Sequence, residues 1–406
     1  MLQDFINKNF FFLFIFTFIF GLLLYGTIGF DSMDEICALL LLVFFIFGIF
    51  QSKGWYVNKA FIVTLSVFLF YLCYSFLIGS NVKSAIIQDF IIQFKPYLAF
   101  FATYFLYPLF SPKQKDILRI ICLFFAAILL AIGLASLHNP YIINDLMFHR
   151  AYYAACAIAI ALVFYFCSPD TATNKLLFVV LLSIGMFSTR SKFYGFFMLA
   201  VMLILLTPYI RNIRLNIKTI LACMLVVALI VIVGWEKLDL YFAISGTEDE
   251  VESGLIARMM LYKTSIDVLI DYLPFGSGFG SFASYASGVH YSKLYYQYGL
   301  DSIWGINKTD YAYIADTYYP CLAQFGFVGI FLFFYFFWFL LRKSYLLFKK
   351  NQQTKYFIIT LLIIGHILIE SVADATFTSH RGFFMMMLLG ISIAEQKQLN
   401  KNNFTS

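Results

Sequence analysis

The sequence predicts an all-α protein that crosses a membrane about twelve times, and three observations support this class. First, 62% of the 406 residues are hydrophobic and 12% are charged, and the mean hydropathy is +0.84, which excludes a soluble globular domain. Second, apolar runs long enough to cross about 30 Å of hydrocarbon recur along the chain. Third, lysine and arginine accumulate in every second connection between these runs, as they do in cytoplasmic loops.

The apolar runs fall into two groups on either side of one long polar segment. About nine runs occupy residues 1–234, and about three runs occupy residues 319–406 together with a tail. The predicted span centres are Phe18, Leu42, Leu69, Phe100, Leu129, Ala159, Leu182, Leu203, Val227, Phe333, Leu362 and Leu388. The polar segment covers residues 235–318, which we predict to form a large loop outside the lipid, inserted into one membrane domain.

The positions of the basic residues predict the orientation of the chain. The basic connections hold Lys53 and Lys59; Lys113, Lys115 and Arg119; Lys175; Arg211, Arg214 and Lys218; and Arg342, Lys343, Lys349, Lys350 and Lys355. We therefore predict that both termini are cytoplasmic and that the loop 235–318 lies on the other side of the membrane. This bias accounts for the net charge of +6, so no nucleic-acid partner is expected.

The first part of the loop predicts an amphipathic helix. Apolar residues lie three and four positions apart, as on one face of a helix, at Leu255, Met259, Tyr262, Ile266, Leu269 and Leu273. Ser253 is the predicted N-cap, and Pro274 is predicted to end the helix. Such a helix can lie on the membrane surface, with a polar flank that carries Arg258 facing the aqueous side.

The second part of the loop is rich in tyrosine. Its aromatic residues are Tyr285, Tyr291, Tyr295, Tyr296, Tyr298, Trp304, Tyr311, Tyr313, Tyr318 and Tyr319. Aromatic faces pack against the C–H faces of sugars while tyrosine hydroxyls bond sugar hydroxyls, so the density of the stretch favours a saccharide surface, with Tyr318 as one contact. The alternative is that these side chains anchor the protein at the membrane interface.

Four arginines are expected on the side of the membrane that carries the loop. Arg190 lies in a tight turn, Arg258 on the loop helix, and Arg150 and Arg381 each follow a histidine at the end of an apolar run. Guanidinium groups match phosphate geometry, so a converging cluster predicts a pyrophosphate ligand. For each of these arginines the alternative is snorkelling or pairing with a nearby carboxylate. The nearby carboxylates are those of Glu370 and Asp374.

Other residue types are less informative. Lys95 lies inside the fourth span and is expected to reach either a lipid phosphate or an acidic partner. Seven cysteines without a C-x-x-C pair are expected to be small buried hydrophobes, with no metal site and no disulfide. The segment Gly276–Gly280 lacks the Lys-Ser/Thr ending of a phosphate loop, so it predicts no nucleotide cofactor.

Three local patterns resemble the bacterial O-antigen polymerase and O-antigen ligase superfamily. One is the turn Ser188-Thr-Arg-Ser191. A second runs from Ala257-Arg258 to Leu273-Pro-Phe-Gly-Ser-Gly-Phe-Gly280, and the third runs from Asp316 through Tyr318 to Gly326-Phe-Val-Gly329. The layout is also similar, with about twelve spans and a large periplasmic loop before the last three.

This resemblance implies glycosyl transfer at the periplasmic face of the bacterial inner membrane, without metal or cofactor. An undecaprenyl-pyrophosphate-linked glycan is transferred to an acceptor glycan, and flippase and chain-length regulator proteins are implied partners. Arg190 and Arg258 would hold the pyrophosphate. Ligases typically carry a histidine where this chain has Asp316, and a carboxylate can also act as a general base. We therefore expect a polymerase, with Asp316 as the base and His290 and His380 as alternative bases.

Other functions stay open at this stage. A ligase would use lipid A core as the acceptor instead of a second lipid-linked repeat. A flippase or another transporter would show inverted repeats and interrupted helices, neither of which is evident in the sequence. A non-catalytic scaffold of a polysaccharide export complex would not need Arg190, Arg258 or Asp316.

Overall fold

The computed structural model describes residues 2–25, 33–51, 58–210 and 250–402, and within these ranges the chain is helical with no β-strand. The long helices are α1 (Leu2–Phe18), α2 (Met33–Gln51), α3 (Lys59–Ile78), α4 (Lys83–Leu106), α5 (Pro112–Ser136), α6 (Arg150–Cys167), α7 (Ala172–Ser183), α8 (Ser191–Leu205), α9 (Glu250–Asp271), α10 (Gly326–Asn351), α11 (Thr354–Glu370) and α12 (His380–Asn402). The all-α class predicted from the sequence is confirmed.

Six helical segments in the described ranges are long and apolar enough to cross a membrane. They are Phe5–Leu23, Met33–Phe50, Lys59–Ile78, Pro112–Ser136, Arg150–Cys167 and Tyr318–Asn351. The chain is therefore a membrane protein by the length and composition of its helices. Helices α4, α7, α8, α11 and α12 also contain predicted span centres, but α11, for example, has only 17 residues. The count of about twelve stays a prediction, and the span centred at Val227 lies outside the described residues.

Local sequence signals explain where several helices begin and end. Ser111 caps α5 in a capping box with Gln114, and Pro112 occupies the first helical position, where its missing N–H costs nothing. The Asn58 side chain caps α3 by accepting from the Ala60 N–H at 2.9 Å. At its other end, α3 stops at Gly79, which adopts a left-handed conformation with φ of 62°.

The centre of the bundle is formed by α4, α6 and α12. Most of α6 is enclosed by other helices, since 89% of its apolar window is buried, whereas only 17% of the α3 window is buried. Gly390 on α12 has no room for a side chain, because an added Cβ would lie 1.9 Å from the Thr103 hydroxyl on α4. Small residues of this kind let two membrane helices approach closely.

Helix α9 confirms a helix in the loop but differs from the prediction in two details. It begins at Glu250, so Ser253 lies inside it and the predicted N-cap is wrong. The face that packs on the protein carries Ala257, Leu261, Thr264, Ser265 and Val268, all buried. The predicted stripe lies on another face, where Ile266 and Leu273 are 59% and 58% exposed. The packed face mixes the apolar residues Leu261 and Val268 with small and polar residues, so a count of large apolar residues alone does not find it.

The glycine-rich segment after α9 is a packed joint between the loop and the bundle. Tyr74 donates to the Gly276 carbonyl at 2.9 Å, and the Gly280 N–H donates to the buried Asp89 carboxylate at 2.7 Å. A Cβ on Gly276, where φ is 78°, would lie 2.3 Å from the backbone nitrogen of Gly326. The backbones of Gly276, in the second sequence pattern, and Gly326, in the third, therefore pack directly against each other. This contact holds α9 beside the start of α10.

Candidate functional site

Arg258 and Asp316 form a direct ion pair where the loop meets the bundle. The Arg258 Nε–H donates to Asp316 Oδ2 at 2.7 Å, and its Nη2 group bonds the same oxygen. The two side chains are 25% and 29% exposed. The Arg258 guanidinium also lies over the Tyr313 ring, with its Cζ 5.2 Å from the ring centroid. Two residues that the sequence assigns to different roles therefore contact each other.

Backbone and tyrosine contacts hold this pair against the end of α11. The Tyr318 N–H, two residues after Asp316, donates to the Ser371 carbonyl at 3.1 Å. On α9, the helix that carries Arg258, the Tyr262 hydroxyl donates to the Val372 carbonyl at 2.6 Å. Since both anchors lie at the same turn after α11, Arg258 and Asp316 are positioned by a common support.

Two further ion pairs lie beside this support. Lys192, in the first turn of α8, contacts the Glu370 carboxylate at 2.9 Å and donates to the Ala373 carbonyl at 2.8 Å. Arg381 binds Asp374 through two nitrogens, at 3.0 Å and 2.6 Å. For Arg381 the alternative expectation, pairing with a nearby carboxylate, is what the structure shows. Both pairs tie the loop after α11 to the neighbouring helices.

Arg150 and Arg190 differ from these cations because neither contacts a carboxylate of the described residues. Arg150 donates to the Thr189 hydroxyl at 2.6 Å and to the Pro140 carbonyl at 3.0 Å, both of which are uncharged. Thr189 itself adopts a left-handed conformation with φ of 54°, which turns the chain sharply before Arg190. Two guanidinium groups thus remain available to an anion next to one tight turn.

We call the following charged residues the charged mouth: Arg150, Arg190, Lys192, Arg258, Asp316, Glu370, Asp374 and Arg381. His149 connects its members, since it interacts electrostatically with Arg190, Asp374, Arg381 and Lys192. Asp316 interacts in the same way with Arg258, Asp374 and Lys192. With five cations and three carboxylates, the charged mouth has an excess of positive charge.

Three helices begin at the charged mouth, which adds to its positive potential. Arg150 is the first residue of α6, Arg190 is the N-cap of α8, and Arg381 is the second residue of α12. Helix N-termini carry unsatisfied N–H groups and a partial positive charge, so they attract anions. The helix ends and the arginines therefore favour the same ligand class.

The environment of the site alters two pKa values. Burial raises the pKa of the Asp316 carboxyl, and Asp374 adds to this, whereas Arg258 and Lys192 lower it. Burial, and then Arg190, lower the pKa of His149. A neutral His149 agrees with its role as the N-cap of α6, since its Nδ1 accepts from the Ala151 N–H at 3.1 Å. A carboxyl with a raised pKa is suited to accept a proton.

Two other candidates have identifiable protein partners. Lys95 is buried and pairs with Asp34, and it contacts Glu35 at 3.1 Å, so its partner is acidic. His380 is 5% exposed and stacks on Tyr25 with ring centroids 3.6 Å apart. This packing leaves His380 poorly placed to serve as a base.

The two remaining candidates belong to the packed part of the loop. The His290 carbonyl accepts from Asn81 at 3.0 Å, next to the glycine-rich segment. Tyr318 is 2% exposed and donates to Gln93 Oε1 at 3.0 Å, so its hydroxyl is already used. Neither residue contacts a member of the charged mouth through a side-chain hydrogen bond in the described part of the chain.

The tyrosine stretch divides into a buried part and an exposed part. Tyr295 is fully buried and its hydroxyl bonds Ser287 at 2.7 Å, so it is a core residue of the loop. Tyr285, Tyr296 and Trp304 are 54%, 53% and 45% exposed. Only the exposed members are accessible to a sugar, and the saccharide surface stays a prediction for them.

Sequence reasoning did not select Lys192 or His149, although both lie within two positions of a selected residue. Lys192 lies two positions after Arg190, and His149 immediately precedes Arg150. It also missed His366 on α11, which is buried and whose two ring nitrogens have no hydrogen-bond partner in the described structure. A polar residue within an apolar run was the available signal for His366.

No group of three or more His, Cys, Asp or Glu side chains in the described ranges is arranged to hold a metal ion. A comparison with protein-family models and with curated proteins finds no match to this chain. The functional assignment therefore depends on the geometry of the charged mouth and on the three sequence patterns that meet there.

Proposed function

We propose that this protein is a polysaccharide polymerase of the bacterial inner membrane. It transfers an undecaprenyl-pyrophosphate-linked glycan to a sugar hydroxyl of a second lipid-linked repeat at the periplasmic face. The observation that carries the proposal is the contact between Arg258 and Asp316, which come from two sequence patterns 58 positions apart. Arg258, which is proposed to bind the pyrophosphate, contacts Asp316, the candidate base. Beside this pair lie two arginines that have no carboxylate partner in the described structure.

The proposed reaction is a substitution at the anomeric carbon of the donor sugar. The acceptor hydroxyl attacks this carbon, and Asp316 accepts the hydroxyl proton as the new C–O bond forms. The bond between the anomeric carbon and the phosphate oxygen breaks, and undecaprenyl pyrophosphate leaves with the electron pair. Arg150, Arg190 and Arg258 stabilise the charge that develops on this leaving group.

The raised pKa of Asp316 and the positive excess of the charged mouth support these roles. An anionic leaving group is stabilised most where preorganised donors lie in a site with little water, and the cations here are part-buried. Flippase and chain-length regulator proteins remain proposed partners. A ligase would use the same residues with lipid A core as the acceptor.

A transporter is the second candidate, and one observation favours it. Lys95 on α4 forms a buried ion pair with Asp34, the second residue of α2. Intramembrane charges of this kind mark ion or proton pathways in many transporters. The pair lies in α2 and α4, outside the charged mouth, so substitutions can separate the two functions.

A reconstituted system tests the polymerase directly. Purified protein in liposomes is given lipid-linked repeats, and the products are lipid-linked dimers together with free undecaprenyl pyrophosphate. We expect Arg258→Ala to abolish both products, whereas Arg119→Ala, an arginine of α5 paired with Asp116, retains them. In cells, loss of the long-chain ladder with one repeat still attached identifies a polymerase. Loss of every attached repeat points to a ligase or a flippase, and an unchanged ladder contradicts the role of Arg258.

A further inference from the structure

An apolar cavity of about 290 Å³ lies between α3, α4 and α10. Its walls include Val67 and Phe68 on α3, Tyr97 on α4, and Phe333 and Phe336 on α10. These side chains present aromatic and branched surfaces, and Gln93 is among the few polar residues of the lining. The cavity is therefore suited to a hydrocarbon chain and unsuited to a sugar.

The cavity is a long groove that runs along α3. Lining residues on this helix extend from Ala60 to Tyr71, a distance of about 16 Å at 1.5 Å per residue. Hydrogen bonds hold α3 to the loop near its C-terminal end, where Tyr71 donates to the Phe325 carbonyl at 2.7 Å. Only 17% of the α3 window is buried, so α3 lies at the edge of the bundle, where Phe61 and Phe68 pack against α4 and the cavity separates the helix from α10. This leaves a groove inside the hydrocarbon layer.

One end of the groove lies next to the charged mouth. Tyr318 lines the groove, and it follows Asp316 by only two residues. Two Cα atoms at this separation are at most about 7 Å apart. A molecule with a charged head and an apolar chain can therefore bind the mouth and the groove at the same time.

We propose that this groove binds the first isoprene units of the donor's polyisoprenoid chain, an inference that rests on the proposed function. Hydrocarbon gains little by leaving lipid for an apolar groove, so shape and tethering determine what binds there. The tether is the diphosphate, which the arginines of the charged mouth hold at the Tyr318 end. The branched methyl groups of the chain pack between the rings of Phe68, Phe333 and Phe336. The groove thereby sets the direction from which the anomeric carbon reaches Asp316.

Photolabelling of the full-length protein in nanodiscs tests the occupant without requiring turnover. A polyisoprenyl diphosphate with a diazirine in its second isoprene unit is irradiated with the protein, and labelled peptides are identified by mass spectrometry. We expect label on α3 and α10 that excess undecaprenyl pyrophosphate removes and excess phosphatidylglycerol does not. Equal competition by phosphatidylglycerol identifies an ordinary acyl-chain groove and overturns the proposal. Label confined to other parts of the chain, including residues 211–249, overturns it as well.

A pair of variants on α3 gives a second readout. Val67→Trp fills the groove, whereas Leu69→Trp changes a 45% exposed position of the same helix that does not line it. We expect Val67→Trp to raise the KM for the long-chain donor about tenfold, which corresponds to about 1.4 kcal/mol, and Leu69→Trp to leave that KM unchanged. Equal effects of the two variants contradict the groove. Groove labelling without glycan transfer by the unmodified protein refutes the polymerase alone.

Discussion

The pairing of Arg258 with Asp316 predicts that replacing Asp316 tightens donor binding while it stops the reaction. The carboxylate occupies the guanidinium that the pyrophosphate is proposed to use, so donor and Asp316 compete for Arg258. Two unit charges about 4 Å apart attract by about 4 kcal/mol at an effective dielectric constant of about 20. Both side chains are about a quarter exposed, and such pairs contribute about 1 kcal/mol after desolvation and screening. Asp316→Asn should therefore bind the donor about fivefold more tightly.

The assay is equilibrium binding of undecaprenyl pyrophosphate to the protein in nanodiscs, alongside glycan transfer by the same preparations. Asp310→Asn is the matched control, because it removes one negative charge from the same loop at a residue outside the charged mouth. We expect the control to leave affinity and turnover unchanged. If Asp316→Asn weakens binding, or changes it no more than Asp310→Asn does, the competition for Arg258 does not exist. Retained turnover in Asp316→Asn would show that another group accepts the proton.

Three further predictions concern pH dependence and stability. Arg258 lowers the pKa of Asp316, so in Arg258→Gln any residual turnover should fall at a higher pH as the medium is acidified, as a pH–rate profile will show. Gly276→Ala should lower the free energy of unfolding by more than about 2 kcal/mol, because the added Cβ clashes with backbone atoms. Gly299 also has a positive φ but has open space around it, so Gly299→Ala should lower the free energy of unfolding by only about 1 kcal/mol, as thermal unfolding of both variants will show. Lys95→Met should destabilise the protein by about 3 kcal/mol by leaving a buried carboxylate unpaired, and unchanged unfolding would contradict that ion pair.

Most of the helices could be predicted from the sequence because hydropathy is a local property. Phe100 and Leu129, for example, are predicted span centres and lie within α4 and α5. The face on which a helix packs was harder to predict, as α9 shows. Its buried face combines Leu261 and Val268 with the small or polar residues Ala257, Thr264 and Ser265, which allow close packing against the bundle.

The candidate site could be predicted in its residue types and only partly in its pairings. Arginines on one side of the membrane indicated an anion site, and Arg150, Arg190 and Arg381 lie at or beside helix ends in the structure, whereas Arg258 lies inside α9. The pairing of Arg381 with Asp374, seven residues earlier, was one of the expectations, whereas the contact of Arg150 with the Thr189 hydroxyl was not. Partner choice depends on how helices distant in sequence approach each other.

The sequence by itself determined that this is a helical membrane protein with an excess of positive charge in a few short segments. These properties follow from the cost of placing polar groups in hydrocarbon, which depends on the composition of each run of about 20 residues. Only the tertiary structure decided that Gly276 meets Gly326, that Asp89 binds the glycine-rich segment and that Arg258 meets Asp316. Those contacts join residues that are 50 to 191 positions apart in the sequence. They are selected by close packing and hydrogen-bond geometry, which no local sequence pattern encodes.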